Sequence, residues 1–413
     1  MRVLYLTWGE VPRMSSVYGG QVVDVVRRLQ RQPGLERVDL LAGVPLIHSG
    51  LMREKWRYPQ EIAKIRAAIG ADHFARRTIA TPPVGVHPTR RQLPFFTRGH
   101  VGFLARTIRQ QGYDVVQCRS YVATHLALRA RAEHGLRVKV VFDSRSYMPD
   151  EAILLGRWAE GSDDHRFWLD RQAQMLAEAD CTNVVSETMK RRFESLGARR
   201  CELIYLNVEQ EAAAARSGTA PPAAAPMLVY AGYLSETGWH SPASLWRVFD
   251  QVRRHSPGAR LRVITKSPHP TLRQSLTEGG WDHLQDAIEM TSAPSPREVV
   301  RMLTDATAGV LSYRTPHGEL EHVLAEGVFA TKTAEYLMAG LPVLVNRVCG
   351  GAAAYVRSHD AGVDYDEAAG LQADDVARLI ALRGQSARIA DEAVSHFSST
   401  RNAERMAAIY ASL

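Results

Sequence analysis

The chain has 413 residues, of which 45% are hydrophobic and 23% are charged, and its formal net charge is +7. This length favours two domains, because a single hydrophobic core rarely serves so many residues. No apolar run is long enough to span a bilayer, and the four cysteines form no CxxC pair or metal-ligand cluster, which argues against a membrane-spanning or disulfide-rich protein. The first residues have the pattern of a strand rather than of a signal peptide, so we expect a cytoplasmic protein.

The positive charge is concentrated in the N-terminal half. Residues 1–215 contain 32 Lys and Arg against 23 Asp and Glu, whereas the remainder contains 19 against 21. No acidic residue lies between Asp72 and Asp114, where arginines alternate with phenylalanines. We interpret this stretch as a solvated basic surface, with an acceptor-binding face or a peripheral contact with the inner face of an anionic membrane as alternatives. No nucleic-acid-binding motif accompanies it, so we expect no nucleic-acid partner.

Strand and helix patterns alternate along the first half of the chain. The pattern predicts strands at 2–8, 38–44, 115–118, 139–143 and 182–185, and helices at 22–29, 123–133 and 187–196. Residues 45–100 interrupt the alternation with Pro, Arg, His and aromatic residues, as an insertion or a mobile loop region would.

Residues 212–226 are rich in Ala and Pro and predict a linker. A second alternating unit follows. Its predicted strands are 227–232, 261–265, 309–313 and 341–345, and its predicted helices are 243–255, one beginning at Ser295, 352–359 and the run 386–413.

Two such halves predict an α/β protein with two Rossmann-like, doubly wound domains, 1–211 and 227–395, that face a cleft. We expect residues 396–413 to pack back on the first domain as a helix. Ligands of such folds bind beyond the C-terminal ends of the strands.

The most informative segment is 331–345, which reads TKTAEYLMAGLPVLV. It predicts a short helix that leads directly into a buried strand. Thr331 and Thr333 are candidate N-caps, and Gly340 lies where a helix end favours a left-handed residue. Lys332 would lie at the helix N-terminus and Glu335 in its first turn, an arrangement suited to a phosphate and a pair of hydroxyls.

This segment resembles the TKxxEYLxxGxPV motif of the retaining GT-B glycosyltransferases, family 4. The position of Gly19 and Gly20 after the first strand and the mid-chain linker fit the same family. The resemblance implies a nucleotide-sugar donor, no cofactor, no metal site and retention of the anomeric configuration. It assigns Glu335 to the ribose hydroxyls, which suits a carboxylate because its oxygens only accept hydrogen bonds.

The same resemblance implies the remaining donor contacts. We expect Lys332, Lys266 and the helix amides at Thr331 and Thr333 to bind the diphosphate, and Gly19, Gly20 and Gly232 to pack against the donor. The acceptor would be a small molecule, a glycan or a lipid-linked sugar that presents a hydroxyl or an amine.

Residues 142–151 resemble an FDxRGxxPDE segment of one branch of the family. Asp143 and Arg145 lie at the C-terminal end of a predicted strand, and we consider them, with Lys332, as catalytic candidates. An ion-pair and helix-capping cluster is an equally weighted interpretation. Asp364-Tyr365-Asp366 formally matches a DxD metal signature, but we expect an ordinary polar loop there.

Two positions depart from the family pattern. Gly327 stands where many members have a glutamate, and the loop 232–240 lacks the usual Arg and Lys that hold the pyrophosphate. The alternatives to a glycosyltransferase are therefore a catalytically silent GT-B-like binding protein and a nucleotide-sugar epimerase of the same fold.

Overall fold

A computed structural model describes residues 1–14, 17–46, 56–80, 87–208, 225–236, 238–293, 296–303 and 305–413. The chain forms two compact units. The first contains Met1–Asn207 and Ser399–Leu413, and the second contains Val208–Ser398. The predicted linker at 212–226 lies almost wholly outside the described residues.

The first unit is built on a parallel sheet of seven strands in the order β3-β2-β1-β4-β5-β6-β7. Its strands are β1 (Arg2–Trp8), β2 (Arg37–Pro45), β3 (Phe74–Ile79), β4 (Val115–Arg119), β5 (Lys139–Asp143), β6 (Cys181–Val184) and β7 (Cys201–Leu203). The central strands are buried on both faces, which explains their nearly continuous apolar sequences. The predicted strands in this half are confirmed to within one residue at each end.

Helices cover both faces of this sheet. They are α1 (Asp24–Leu29), α2 (Tyr58–Ile69), α3 (Leu93–Thr97), α4 (Val101–Gln111), α5 (Ser120–His134), α6 (Met148–Leu154), α7 (Asp163–Glu178), α8 (Glu187–Ser195) and, from the C-terminus, α17 (Ser399–Ala411). Helix α17 packs against α1, and the Tyr410 hydroxyl donates a 3.1 Å hydrogen bond to Gln117 Oε1 of β4.

The interpretation of residues 45–100 as an insertion or mobile loop is wrong for its described part. This part contributes helix α2 and the edge strand β3, whose register pairs Leu40 with Phe74 through Pro45 with Ile79. Only Phe74 and Ile79 of β3 are buried, while Arg76 is exposed, so the strand lacks the apolar run that identified the others. Charged residues on an edge strand also discourage pairing with other chains.

The second unit contains a six-stranded parallel sheet in the order β10-β9-β8-β11-β12-β13. Its strands are β8 (Met227–Ala231), β9 (Arg260–Ile264), β10 (Ile288–Thr291), β11 (Ala308–Leu311), β12 (Val343–Asn346) and β13 (Gly362–Tyr365). The strand order reverses between β8 and β11. In open α/β sheets a ligand binds at such a switch point, beyond the C-terminal ends of the strands.

The helices of the second unit connect these strands. They are α9 (Pro242–His255), α10 (His269–Glu278), α11 (Pro296–Leu303), α12 (Gly318–Gly327), α13 (Thr331–Met338), α14 (Gly350–Ser358), α15 (Ala373–Leu382) and α16 (Ser386–Phe397). Ser295, the predicted start of α11, lies outside the described residues. The predicted run 386–413 is divided at Ser398 into α16 and α17, which belong to different units.

Both units therefore have the doubly wound, parallel α/β architecture that the sequence predicts. In the ranges that the structure describes, no helix combines the length and apolar character needed to cross a membrane.

Candidate functional site

Helix α13 and strand β12 form the predicted helix–strand segment at the switch point of the second sheet. Gly340 has a left-handed φ of +72°, and all of β12 is buried, so both of these predictions are confirmed. The N-cap prediction is wrong, because Ala330 occupies that position in an extended conformation and provides no capping side chain. Glu335 is consequently the fifth helical residue, at the start of the second turn rather than in the first.

The missing cap has a chemical consequence. The first amides of a helix lack the usual intrahelical partners, and no N-cap side chain satisfies them here. The Thr333 amide, which we predicted to bind the diphosphate, instead donates a 3.0 Å hydrogen bond to the Ala330 carbonyl. Thr331 is the first of these residues and is partly exposed. Thr333, in contrast, is fully buried, and its Oγ1 has no hydrogen-bond partner among the described residues. Of the two threonines, Thr331 is therefore the one at the accessible end of the helix.

Tyr336 anchors α13 against the sheet. Its ring lies over Gly309 of β11, where a Cβ would approach the ring to 2.3 Å, and its hydroxyl accepts a 2.7 Å hydrogen bond from the Ala231 amide. Lys332 lies one turn earlier on the same face of the helix. This anchoring directs the lysine towards the residue that follows Ala231.

Lys332 crosses directly over Gly232. A Cβ at Gly232 would lie 2.1 Å from Cε of the lysine and 2.8 Å from its Nζ. The Nζ atom is 5.6 Å from the centre of the Tyr230 ring, within the range of a cation–π interaction. The structure thus brings together two of the predicted donor-site residues, which are 100 positions apart in the sequence.

The two charged groups of α13 have shifted pKa values. The surrounding protein desolvates Glu335 and raises the pKa of its carboxyl, although the side chain remains accessible to solvent, and nearby Lys332 opposes this rise. Desolvation likewise lowers the pKa of Lys332, and Glu335 opposes that fall. Ionised Glu335 and protonated Lys332 therefore stabilise each other.

His240 is a neighbour of this site that the sequence did not single out. Its ring centre lies 4.6 Å from that of Tyr313 and 5.7 Å from that of Tyr230. Burial, followed by the charge of Lys332, holds its pKa well below the usual value, so the imidazole is neutral. Its Nδ1 is buried and has no partner among the described residues. A histidine in a loop carries no spacing signal, and only the fold shows its position.

Lys266 lies in the turn after β9 and is exposed. The next residue, Ser267, accepts a hydrogen bond from the Leu234 amide at 3.0 Å and donates one to the Leu234 carbonyl at 2.9 Å. These bonds join the turn to the loop that follows Gly232. Lys266 is thus held at the strand end adjacent to Gly232, where a flexible ammonium can reach an anion.

The first unit holds the other predicted residues. Gly19 and Gly20 begin a π-helical turn, Gly19–Val23, that continues into α1. A Cβ at Gly19 would lie 2.2 Å from the Met14 carbonyl oxygen, so the glycine is needed for chain packing. Gly20 is exposed, and no atom lies within 4 Å of a Cβ placed there.

Asp143, the last residue of β5, and Arg145 form a largely buried ion pair. Arg145 donates from Nε and Nη2 to Asp143 Oδ2 at 3.0 and 2.9 Å, and the Tyr5 hydroxyl approaches the same oxygen at 3.4 Å. The aspartate is 1% exposed. Its carboxylate is therefore held by partners within the protein, as the ion-pair interpretation requires, whereas Arg145 retains a nitrogen without a described partner.

Asp364 lies within β13 rather than in the expected polar loop. Its carboxylate pairs with Arg347 at 3.0 Å and with Arg357 at 2.6 Å. Asp366 instead accepts hydrogen bonds from the backbone amides of Ala368 and Ala369. Both carboxylates of the DxD match thus have structural partners.

A separate groove of about 370 Å³ lies between α4 and α5. Arg106, Arg109 and His134 are among its lining residues, and none of the predicted site residues is. It belongs to the basic stretch of the first unit.

Comparison with known proteins assigns the fold to a class. Residues 52–211 match the model of Glycosyltransferase Family 4, and no curated protein matches the chain. Sucrose-phosphate synthase from Thermosynechococcus elongatus is similar in structure, with a TM-score of 0.66 and 14% identity over 100% of this chain and 98% of that one. The chain has the GT-B fold of the glycosyltransferases.

Two further structures are similar over the full length of both chains. HepE from Anabaena, solved in complex with UDP, has a TM-score of 0.65 and 14% identity. The lipopolysaccharide outer core galactosyltransferase WaaB has a TM-score of 0.64 and 13% identity. At this level of identity the similarity establishes the fold and leaves the activity to be argued from the site.

Proposed function

We propose that this chain is a glycosyltransferase that moves a sugar from a nucleotide-sugar donor to a hydroxyl or amine acceptor. The observation that carries the proposal is the arrangement of Lys332 over Gly232, with accessible Glu335 on the same helix. A cation, uncapped helix amides and a carboxylate at the switch point match the parts of a nucleoside diphosphate. The match of residues 52–211 to Glycosyltransferase Family 4 and the UDP complex of HepE support this reading.

Each group has a distinct role in the proposed reaction. Glu335 accepts hydrogen bonds from the two ribose hydroxyls. Lys332, the α13 amides and Lys266 stabilise the negative charge that develops on the leaving diphosphate, which is the main electrostatic demand of the transfer. Because Tyr336 and Gly232 fix the position of Lys332 before the donor binds, little reorganisation accompanies the reaction.

The proposal includes retention of the anomeric configuration, with the leaving phosphate accepting the proton of the acceptor, and it requires no metal ion. The resemblance to family 4 supports these points. NMR analysis of the product anomer tests the first, and activity in the presence of a chelator tests the second.

Calorimetric titration with a panel of UDP, GDP, ADP and dTDP sugars tests the donor site directly. We expect Glu335→Ala to weaken the binding of the preferred nucleotide by at least about tenfold, because the loss of two hydrogen bonds to a charged group costs about 1.5 kcal/mol or more. Glu319→Ala, an exposed first-turn glutamate of α12, is the matched control and should bind normally. Equal affinities in the two variants would remove Glu335 from the site.

The missing Arg and Lys of the loop 232–240 motivate one competing function, a catalytically silent binding protein. Release of nucleoside diphosphate from any sugar nucleotide would exclude it. The putative UDP-N-acetylglucosamine 2-epimerase from Listeria monocytogenes also shares the fold, with a TM-score of 0.51. Product analysis with and without an acceptor separates transfer from epimerisation.

A further inference from the structure

Four polar side chains form a row across the C-terminal end of the first sheet. The register pairs Thr7 of β1 with Arg119 of β4, Arg119 with Asp143 of β5, and Asp143 with Asn183 of β6. Register partners in a parallel sheet project to the same face, so these four side chains lie side by side. Polar residues in such a row are unusual in the centre of a buried sheet, where apolar residues predominate.

This row contains more hydrogen-bond donors than acceptors. Nη1 of Arg119, Nη1 of Arg145 and Nδ2 of Asn183 are buried, and none has a partner among the described residues. Burial of such a donor is unfavourable unless an acceptor is supplied. Three of them at the same strand ends indicate that an acceptor-rich group belongs there.

The existing carboxylates do not fill this need. Asp143 already accepts from Arg145 and Tyr5 at a single oxygen. Glu10, on the loop after β1, pairs with Nε of Arg119 at 3.3 Å and is partly exposed. Glu10 is therefore an anionic partner of the row that an incoming ligand can displace into solvent.

The row reaches solvent at the Arg119–Glu10 pair, whose side chains are 11% and 23% exposed. The Tyr18 hydroxyl lies 2.9 Å from Thr7 Oγ1, which fixes the helix start beside the row. A ligand can therefore approach the row from the side of the Arg119–Glu10 pair.

We propose that this row binds an anionic oxygen group, a phosphate or a carboxylate, carried by the acceptor substrate. Oxygens that only accept hydrogen bonds suit two guanidinium N–H groups and an amide N–H. The site itself rests on the first unit alone, and only the assignment of the anion to the acceptor rests on the proposed glycosyltransferase function.

Calorimetric titration of the full chain with inorganic phosphate and with acetate, at constant ionic strength, tests the site. We expect one of the two anions to bind, and the preferred one identifies phosphate or carboxylate as the acceptor group. Asn183→Leu keeps the number and branching of the side-chain heavy atoms but removes the amide donor, and it should weaken this binding by about tenfold or more. Glu10→Gln removes the competing carboxylate and should strengthen it several-fold.

Thr182→Val is the matched control. Thr182 is the neighbouring residue of β6, is equally buried and has an unpartnered Oγ1, but it faces the opposite side of the sheet. This variant should bind the anion as the wild type does. Lys332→Ala, in the second unit, should also leave the binding unchanged, which separates this site from the donor-diphosphate site.

Several results would overturn the inference. It fails if neither anion binds, if Asn183→Leu binds as tightly as Thr182→Val, or if Lys332→Ala abolishes binding. Thermal denaturation of each variant checks folding, and Asn183→Leu removes a buried amide N–H that has no partner among the described residues. Normal nucleotide affinity together with absent anion binding would contradict the inference while leaving the proposed function intact.

Discussion

Lys332 occupies the space that a side chain at Gly232 would fill, since its Cε lies 2.1 Å from the position of a Cβ there. The glycine also has a φ of +146°, which L-residues rarely adopt. The first residue after β8 and the second residue of α13 are thus mutually dependent. Gly232 determines where the ammonium group lies at the switch point.

Substitution of this glycine tests the dependence. Gly232→Ala should lower the thermal midpoint and weaken nucleotide binding, because the new methyl group strains the backbone and displaces Lys332. Gly280→Ala is the control for backbone strain alone, since Gly280 also has a positive φ, +76°, but no atom within 4 Å of a Cβ. We expect Gly280→Ala to reduce stability without affecting nucleotide affinity, and equal affinity losses in the two variants would contradict this account.

The pH dependence of nucleotide binding should reflect both shifted groups of α13. Glu335 must be ionised to accept hydrogen bonds from the ribose hydroxyls. Because its pKa is raised, acidification should begin to reduce the affinity at a higher pH than it would for an ordinary glutamate. Lys332 must be protonated to bind the diphosphate. Because its pKa is lowered, a rise in pH should begin to reduce the affinity at a lower pH than it would for an ordinary lysine. Calorimetry across pH should therefore give a narrowed, bell-shaped profile.

The Lys332→Ala variant tests the direction in which Lys332 shifts the pKa of Glu335. The lysine lowers the pKa of Glu335, so its removal should move the acidic limb of the residual binding profile to higher pH. An acidic limb that stays in place, or that moves to lower pH, would show that the two groups do not interact.

Glu335 should reduce the stability of the unliganded protein. A carboxyl whose pKa is higher in the folded state contributes stability below its unfolded-state pKa, and that contribution is lost as the pH rises through the folded-state pKa. Glu335→Gln should accordingly increase the free energy of unfolding at neutral pH, while at acidic pH the variant and wild type should converge. Chemical denaturation at the two pH values measures this, and a destabilised variant at neutral pH would contradict it.

The ion pair of Asp143 and Arg145 should behave as a unit. Arg145→Gln leaves a buried carboxylate without its cation and should cost about 3 kcal/mol in the free energy of unfolding. The double variant Asp143→Asn, Arg145→Gln should recover most of this loss, because no isolated charge remains. If the stability loss of the double variant equals the sum of the losses in the single variants Asp143→Asn and Arg145→Gln, the pair is not coupled.

Much of the fold could be predicted because its signals are local. The apolar runs of β1 and β5 and the helix–strand segment at 331–345 carry their own periodicity and end signals. Strand β3 could not be predicted in this way, since only its two end residues are buried and its sequence lacks an apolar run. The N-cap of α13 was misassigned because Ala330, a residue with no capping side chain, occupies it.

The site could be predicted only in part. Glu335 and Lys332 carry a motif, but the packing of Lys332 on Gly232 joins positions that no short spacing relates. The same holds for Arg119 and Asn183, whose proximity depends on the register of three strands. Contacts of this kind arise from topology, and a single sequence contains no local trace of them.

The most direct test of the proposed function is the release of nucleoside diphosphate from a panel of UDP, GDP, ADP and dTDP sugars. We predict that the wild-type chain releases nucleoside diphosphate from one of these donors, slowly with water alone and faster with its acceptor, and that Lys332→Ala is much slower. If no donor in the panel is consumed and none raises the thermal midpoint of the protein, the chain is not the glycosyltransferase proposed here.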